Sequence, residues 1–163
     1  MQRTFPNMLL PPEIAYEFLG TFARCEYALK GSGFARGNEN SVDANWDAFA
    51  ISIDQSFQSL QDPEFREAVD YLLTEPPRKQ VLNNGRVDWK ESPPDRNLPQ
   101  AQQVLLMVRR VRNNLFHGAK IWSPEHSNRD RDIKLVKAGL LVMKQCINFS
   151  DEVWTSQTSL DTG

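Results

Sequence analysis

The residue types most suited to catalysis occur together near position 115. The segment Arg112-Asn113-Asn114-Leu115-Phe116-His117-Gly118 combines an arginine, asparagines and a histidine. Histidine titrates near neutral pH and can transfer protons, and arginine is a permanent cation that binds a phosphate through its planar fork. An asparagine can orient the histidine. Because RNA carries its own nucleophile, the 2′-hydroxyl, these groups are sufficient for phosphodiester cleavage without a metal.

A helix is predicted to carry these residues. It should begin near Leu98-Pro99, run to Phe116 or His117 and stop at Gly118, because apolar residues recur there at the helical period. Arg112 falls at the edge of the apolar stripe. The predicted buried positions are Ala101, Val104, Leu105, Val108, Val111 and Leu115.

A second face of this helix mixes polar, basic and apolar side chains. Arg109, Asn113 and His117 follow one another at intervals of four and should lie along one line. Leu106 and Phe116 lie beside that line. Such a face usually meets another molecule, so we expect a two-fold homodimer that buries part of it.

A simpler interpretation of these residues stays open. A histidine followed by glycine is also a common helix end, where the imidazole interacts with the last carbonyl groups. The neighbouring Arg109, Arg110 and Arg112 can equally form a solvated helix face.

The pattern Arg112-Asn113-x-x-x-His117 is similar to the signature of the HEPN superfamily. The apolar pair before the histidine, the glycine after it and the stretch 22–30 on the first predicted helix also resemble that family. The resemblance implies a metal-independent endoribonuclease that works as a homodimer, with the motifs of two protomers facing each other across a cleft. It further implies that His117 is the acid/base residue, Arg112 the phosphate and transition-state ligand, and Asn113 the orienting residue.

Members of this family commonly act in toxin–antitoxin pairs or phage defence, so the resemblance implies an RNA substrate and a possible antitoxin or defence-system partner protein. The alternative is a non-enzymatic HEPN-like dimerising module that binds a nucleotide or a partner protein. One departure concerns Ala119, since some toxins of the family have a modifiable tyrosine at that position. Further candidates for substrate binding are Arg109 and, in the loop after the motif, Trp122 and His126.

Composition restricts the remaining possibilities. The net charge is −2 and the pI about 5.7, so RNA binding would need a local basic patch. The candidates for such a patch are Arg109, Arg110 and Arg112 on one segment, and Arg78, Lys79, Arg86 and Lys90 on the segment 75–98. With two histidines and two separated cysteines, no metal site is expected, and no cofactor. Nothing in the sequence predicts a membrane span or a signal peptide, so we expect a cytoplasmic protein.

The apolar pattern predicts one domain over residues 1–163, with a frayed tail at 156–163, and an all-α bundle of about five helices. The first helix should start at Pro11-Pro12-Glu13, the second at Asp43 or Asn45 and the third after Asp62. Residues 34–42 are predicted to be a loop. Asn84-Gly85 predicts a short hairpin, or else an irregular loop, near residues 80–90.

Overall fold

The computed structural model describes residues 10–116, 128–151, 153 and 155. Its helices are α1 (Pro12–Gly31), α2 (Trp46–Ser59), α3 (Pro63–Thr74), α4 (Gln100–Phe116) and α5 (Arg129–Ile147). Two antiparallel hairpins join them, formed by β1 (Ala35–Asn38) with β2 (Ser41–Ala44) and by β3 (Lys79–Asn83) with β4 (Arg86–Lys90). The prediction of an all-α fold is therefore wrong. Helices dominate the structure, but the two hairpins make it a mixed α and β architecture.

The predicted helix starts are confirmed by their capping residues. Helix α1 opens on prolines, whose fixed φ suits a first turn. The side chains of Asn45, Asp62 and Asn128 accept hydrogen bonds from backbone N–H groups in the first turns of α2, α3 and α5. Each such cap satisfies a donor that has no partner inside its helix.

The hairpin β1–β2 corrects the predicted loop at 34–42. Residues 35–43 are all exposed, so the strands carry no alternation of apolar and polar side chains that a sequence pattern could reveal. The turn depends on local contacts instead. Asn38 Oδ1 accepts a hydrogen bond of 2.9 Å from the N–H of Asn40, and the carbonyl of Phe34 accepts one of 2.7 Å from Asn45.

The hairpin β3–β4 confirms the prediction made from Asn84-Gly85. Both residues have positive φ, 48° at Asn84 and 75° at Gly85, which is what a type I′ turn requires. Leu82 and Val87 lie opposite each other near the tip and are exposed. The tip is therefore at the surface, as predicted.

Helix α4 lies at the centre of the packing. It runs antiparallel to α2, because Asp54 Oδ1 accepts a hydrogen bond from the N–H of Ala101 while Asp47 pairs with Arg109 at the other end. It also packs against α3 and α5. All of the residues predicted for its apolar stripe are buried: Ala101, Val104, Leu105, Val108, Val111 and Leu115.

The apolar pattern after about Asn128 predicts a last helix that buries Ile133, Val136, Leu140, Met143 and Ile147. This predicted face of α5 is only partly correct. Val136, Met143 and Ile147 are buried as expected, whereas Ile133 and Leu140 are half-buried. The buried face is rotated and includes Leu135, Gly139, Val142 and Cys146. A Cβ at Gly139 would lie 3.0 Å from the Phe18 ring, so α1 approaches α5 closely there.

Some predictions fall on parts of the chain that lie outside the described residues. These are the loop at 118–127 and the tail at 156–163. Within the described ranges, no helix is long and apolar enough to cross a bilayer.

Gly37→Ala should destabilise the protein more than Gly85→Ala does. Both glycines have positive φ, but a Cβ at Gly37 would lie 2.1 Å from the carbonyl oxygen of Ser41, whereas a Cβ at Gly85 would have no atom within 4 Å. We expect a loss of about 1–3 kcal/mol for Gly37→Ala and about 1 kcal/mol for Gly85→Ala. Urea denaturation measures the loss of stability in each variant, and hydrogen exchange at β2 measures the local effect of Gly37→Ala. Equal losses would contradict the predicted clash.

Candidate functional site on helix α4

Three arginines on α4 contact three different parts of the chain. Arg109 Nη2 lies 2.8 Å from Asp47 Oδ1 on α2, with the two side chains 22% and 40% exposed. Arg110 turns toward the segment that carries β3 and β4. The guanidinium of Arg112 lies 5.6 Å from the ring centroid of Phe22 on α1. The arginines therefore form neither one solvated face nor one basic patch.

Arg112 and Asn113 form the part of the motif that the structure describes. Arg112 Nη1 donates a hydrogen bond of 3.1 Å to Asn113 Oδ1. The guanidinium carbon of Arg112 lies over the Phe22 ring, whose electron-rich face attracts the cation. Arg112 lies at the edge of the buried stripe, as predicted, and is half-buried. The guanidinium is thus held in place by a ring beneath it and an amide beside it.

The outer strip of α4 is largely covered by the chain itself. From Gln100 to Leu115, Asn113 is the one exposed residue. Arg109, which was predicted to lie on the line through Asn113, is half-buried and forms an ion pair with Asp47. Leu106, which was predicted to lie beside that line, is also half-buried. The predicted line of polar residues exists between Arg109 and Asn113, but it offers little accessible surface.

Side chains of α4 hold the segment that carries β3 and β4. Arg110 Nη1 donates hydrogen bonds of 3.0 Å to the carbonyl of Pro77 and 2.6 Å to that of Ser92. Asn114 donates one of 2.8 Å to the carbonyl of Arg78. Burial lowers the pKa of Arg110 from its usual value, since the charged form loses hydration. The hairpin is therefore anchored at both of its ends beside the motif.

A second anchor for this segment comes from α5, and sequence reasoning missed it. Arg131 Nη2 donates a hydrogen bond of 2.9 Å to the carbonyl of Pro76. Arg131 and the buried Asp132 line a cavity of about 30 Å³ together with Trp89 and Asn114. A cavity of this size holds a water molecule or two rather than a nucleotide. A carboxylate at Asp132, on the otherwise apolar buried face of α5, was the feature of the sequence that could have pointed to this anchor.

Three predicted site residues lie outside the described residues: His117, Trp122 and His126. Of the others, the structure brings Arg112 and Asn113 together and assigns Arg109 to an ion pair.

The two cysteines are buried, as the sequence predicts. Burial raises the pKa of Cys25 to about 12 and raises that of Cys146 well above its usual value, because an apolar environment disfavours the thiolate. Both thiols stay protonated at neutral pH and are poor nucleophiles. Among the described residues, no three His, Cys, Asp or Glu side chains are grouped as they would be around a metal ion.

Arg109→Ala and Asp47→Ala should each lower the free energy of unfolding, and the double variant should lose less than the sum. The pair is partly exposed, so we expect a coupling of about 0.5–1 kcal/mol. Urea denaturation of the four proteins measures it. A coupling of zero, together with weakened RNA binding by Arg109→Ala, would instead assign Arg109 to the substrate.

Comparison with known proteins does not extend the resemblance found in the sequence. No protein-family model matches the chain, and no curated protein or solved structure is significantly similar to it. The likeness to the HEPN superfamily therefore rests on the motif at the end of α4 and on the opening helix.

Proposed function

We propose that this protein is a metal-independent endoribonuclease of the toxin–antitoxin or phage-defence type, which cleaves RNA through a composite site at a homodimer interface. His117 would transfer the protons and Arg112 would bind the scissile phosphate. The observation that carries the proposal is the hydrogen bond between Arg112 and Asn113 at the end of α4, where the guanidinium is oriented and Asn113 is exposed.

The chemistry follows from these two side chains and from His117, which comes four residues after Asn113 in the sequence. The 2′-hydroxyl of RNA attacks the adjacent phosphorus when a base removes its proton, and the 5′-oxygen leaves when an acid protonates it. This yields a 2′,3′-cyclic phosphate and a 5′-hydroxyl end. A positioned guanidinium stabilises the negative charge that develops on the phosphate oxygens. Its fixed orientation reduces the entropy that binding must overcome.

We expect the RNA also to contact the β3–β4 hairpin, whose ends α4 holds through Arg110 and Asn114. Lys79 on β3 faces Lys90 on β4 in the strand register, and both are exposed. Like charges in direct opposition destabilise a hairpin, and a bound phosphate would relieve that repulsion. Arg78 contributes less, because its guanidinium pairs with Glu91 at 2.6 Å.

His117→Ala should abolish RNA cleavage while the helical content and the stability change little. Loss of a positioned acid/base group costs about 10²–10⁴ in rate. Single-turnover cleavage of a labelled RNA, followed with and without EDTA, measures the effect, and the chelator should leave the wild-type rate unchanged.

Arg112→Lys is the matched variant for the phosphate ligand. An ammonium keeps the charge but lacks the planar fork that binds two phosphate oxygens at once, so cleavage should be only partly retained. Wild-type activity in His117→Ala, or activity that EDTA removes, would overturn the mechanism and favour a binding module without enzymatic activity.

Reversing the charges of Lys79, Arg86 and Lys90 to glutamate should weaken RNA binding and flatten its dependence on salt. For single-stranded RNA, the slope of log K against log salt falls by about 0.7 for every phosphate that the protein no longer neutralises. Fluorescence anisotropy with a labelled RNA at several salt concentrations gives the slope.

A control with the same change in net charge uses Arg36, Lys134 and Lys137, which are exposed elsewhere. It should leave the slope near the wild-type value. Equal effects of the two triple variants would mean that the hairpin is only a connector.

A further inference from the structure

The outer face of α1 exposes a row of apolar side chains. Tyr16 is 81% exposed and Tyr27 60% exposed, and Gly20 and Ala23 lie between them. The spacings of four, three and four place these residues on one line, at the interval of a coiled-coil seam. Leu19, 39% exposed, lies beside it. Two exposed tyrosines joined by small residues form an apolar strip, and exposed apolar patches on a folded domain mark interaction surfaces.

We propose that this seam binds the same seam of a second copy of the chain, with the two α1 helices antiparallel. The two-fold axis then passes between Gly20 and Ala23. Tyr16 packs against the partner's Tyr27, and Gly20 against the partner's Ala23. The small residues at the centre let the two backbones approach closely, and the tyrosine rings cover both ends while their hydroxyls reach water. A Cβ at Gly20 would have no atom of its own chain within 4 Å, so nothing in the described fold fills this space.

The charges beside the seam select this partner and this direction. The first half of α1 carries the acidic Glu13 and Glu17, and the second half carries the basic Arg24 and Lys30. Glu26 is also in the second half, but its Oε1 accepts a hydrogen bond from Trp46 of its own chain. In the antiparallel pair, Glu13 lies opposite the partner's Lys30, and Glu17 lies opposite the partner's Arg24. Symmetry repeats both contacts, so the surface is complementary to itself. A parallel pair would place each charge opposite its own copy, which is repulsive.

The contacts of Glu17 within its own chain are compatible with this arrangement. Its Oε1 accepts a hydrogen bond of 2.5 Å from Lys144 Nζ, and both side chains are about half exposed. A carboxylate has two oxygens and accepts several hydrogen bonds, so Glu17 can bind Lys144 and an arginine of the partner together.

The α1 seam is separate from the site on α4. Phe22, which supports Arg112, points into the core, whereas Gly20 and Ala23 point outward from the opposite side of the helix. Pairing through α1 therefore covers neither Arg112 nor Asn113. The seam on α1 does not depend on RNA cleavage. The homodimer proposed for the composite site on α4 would be a second contact between copies, in addition to the one through α1.

The first test compares Gly20→Arg with Ile51→Arg. Ile51 is 58% exposed on α2, so the control adds the same side chain at another exposed site. Sedimentation velocity over a range of concentrations should show association of the wild type and of Ile51→Arg, and at least a tenfold weaker association for Gly20→Arg, with circular dichroism unchanged. A wild type that stays monomeric throughout, or one that Gly20→Arg leaves unaffected, would overturn the proposal.

The second test establishes the direction of the helices. Chains with Tyr16→Cys and chains with Tyr27→Cys are oxidised separately and as a mixture. The native cysteines are buried and do not interfere. An antiparallel seam links the two variants in the mixture and neither one to itself. Self-linking of each variant would show a parallel pair, and no link in the mixture would exclude the seam. Cleavage by His117→Ala is a separate measurement, so failure of the seam and failure of the proposed ribonuclease activity are distinguishable.

Discussion

Burial of α4 places three guanidinium groups where water cannot solvate them fully, and each one requires a partner. Removing a cation from water is costly unless hydrogen bonds or an opposite charge compensate it. The partners include a carboxylate for Arg109, two carbonyl groups for Arg110, and a ring with an amide oxygen for Arg112. Because these partners lie on α2, on the segment around the second hairpin, and on α1 and α4, the three arginines connect α4 to three of the elements around it.

The same contacts determine what is open to a ligand. A charge that pairs with a carboxylate within the fold, as Arg109 does with Asp47, is less available to a phosphate. The guanidinium carbon of Arg112 lies over the Phe22 ring, whereas a phosphate binds the N–H groups along the edge of a guanidinium. The exposed Asn113 lies beside that edge. This geometry, rather than the number of arginines, makes the end of α4 the best candidate for chemistry.

The sequence predicted features that depend on neighbouring residues. The buried stripe of α4, the caps Asn45 and Asp62 and the turn at Asn84-Gly85 all follow from periodicity or from local backbone requirements. The β1–β2 hairpin produced no such signal because its side chains from Ala35 to Asp43 are exposed. The residues that these arginine side chains contact were also not predictable from the sequence. The partner of Arg109 is 62 positions away and a carbonyl partner of Arg110 is 33 positions away, so only the tertiary fold selects them.

The packing around α4 also bears on how two copies can meet. A two-fold interface needs a continuous surface, and from Gln100 to Leu115 this helix exposes Asn113 alone. Helix α1 is the opposite case, because it packs on α5 and on the first hairpin and leaves its outer face uncovered in the part of the chain that the structure describes. A helix at the edge of a fold can carry exposed tyrosines without disturbing the core, whereas a central helix has no room for them. The described part of α4 therefore presents a small polar site, so the composite site proposed at its end needs surface from other parts of the chain as well, whereas α1 exposes a larger area of its own.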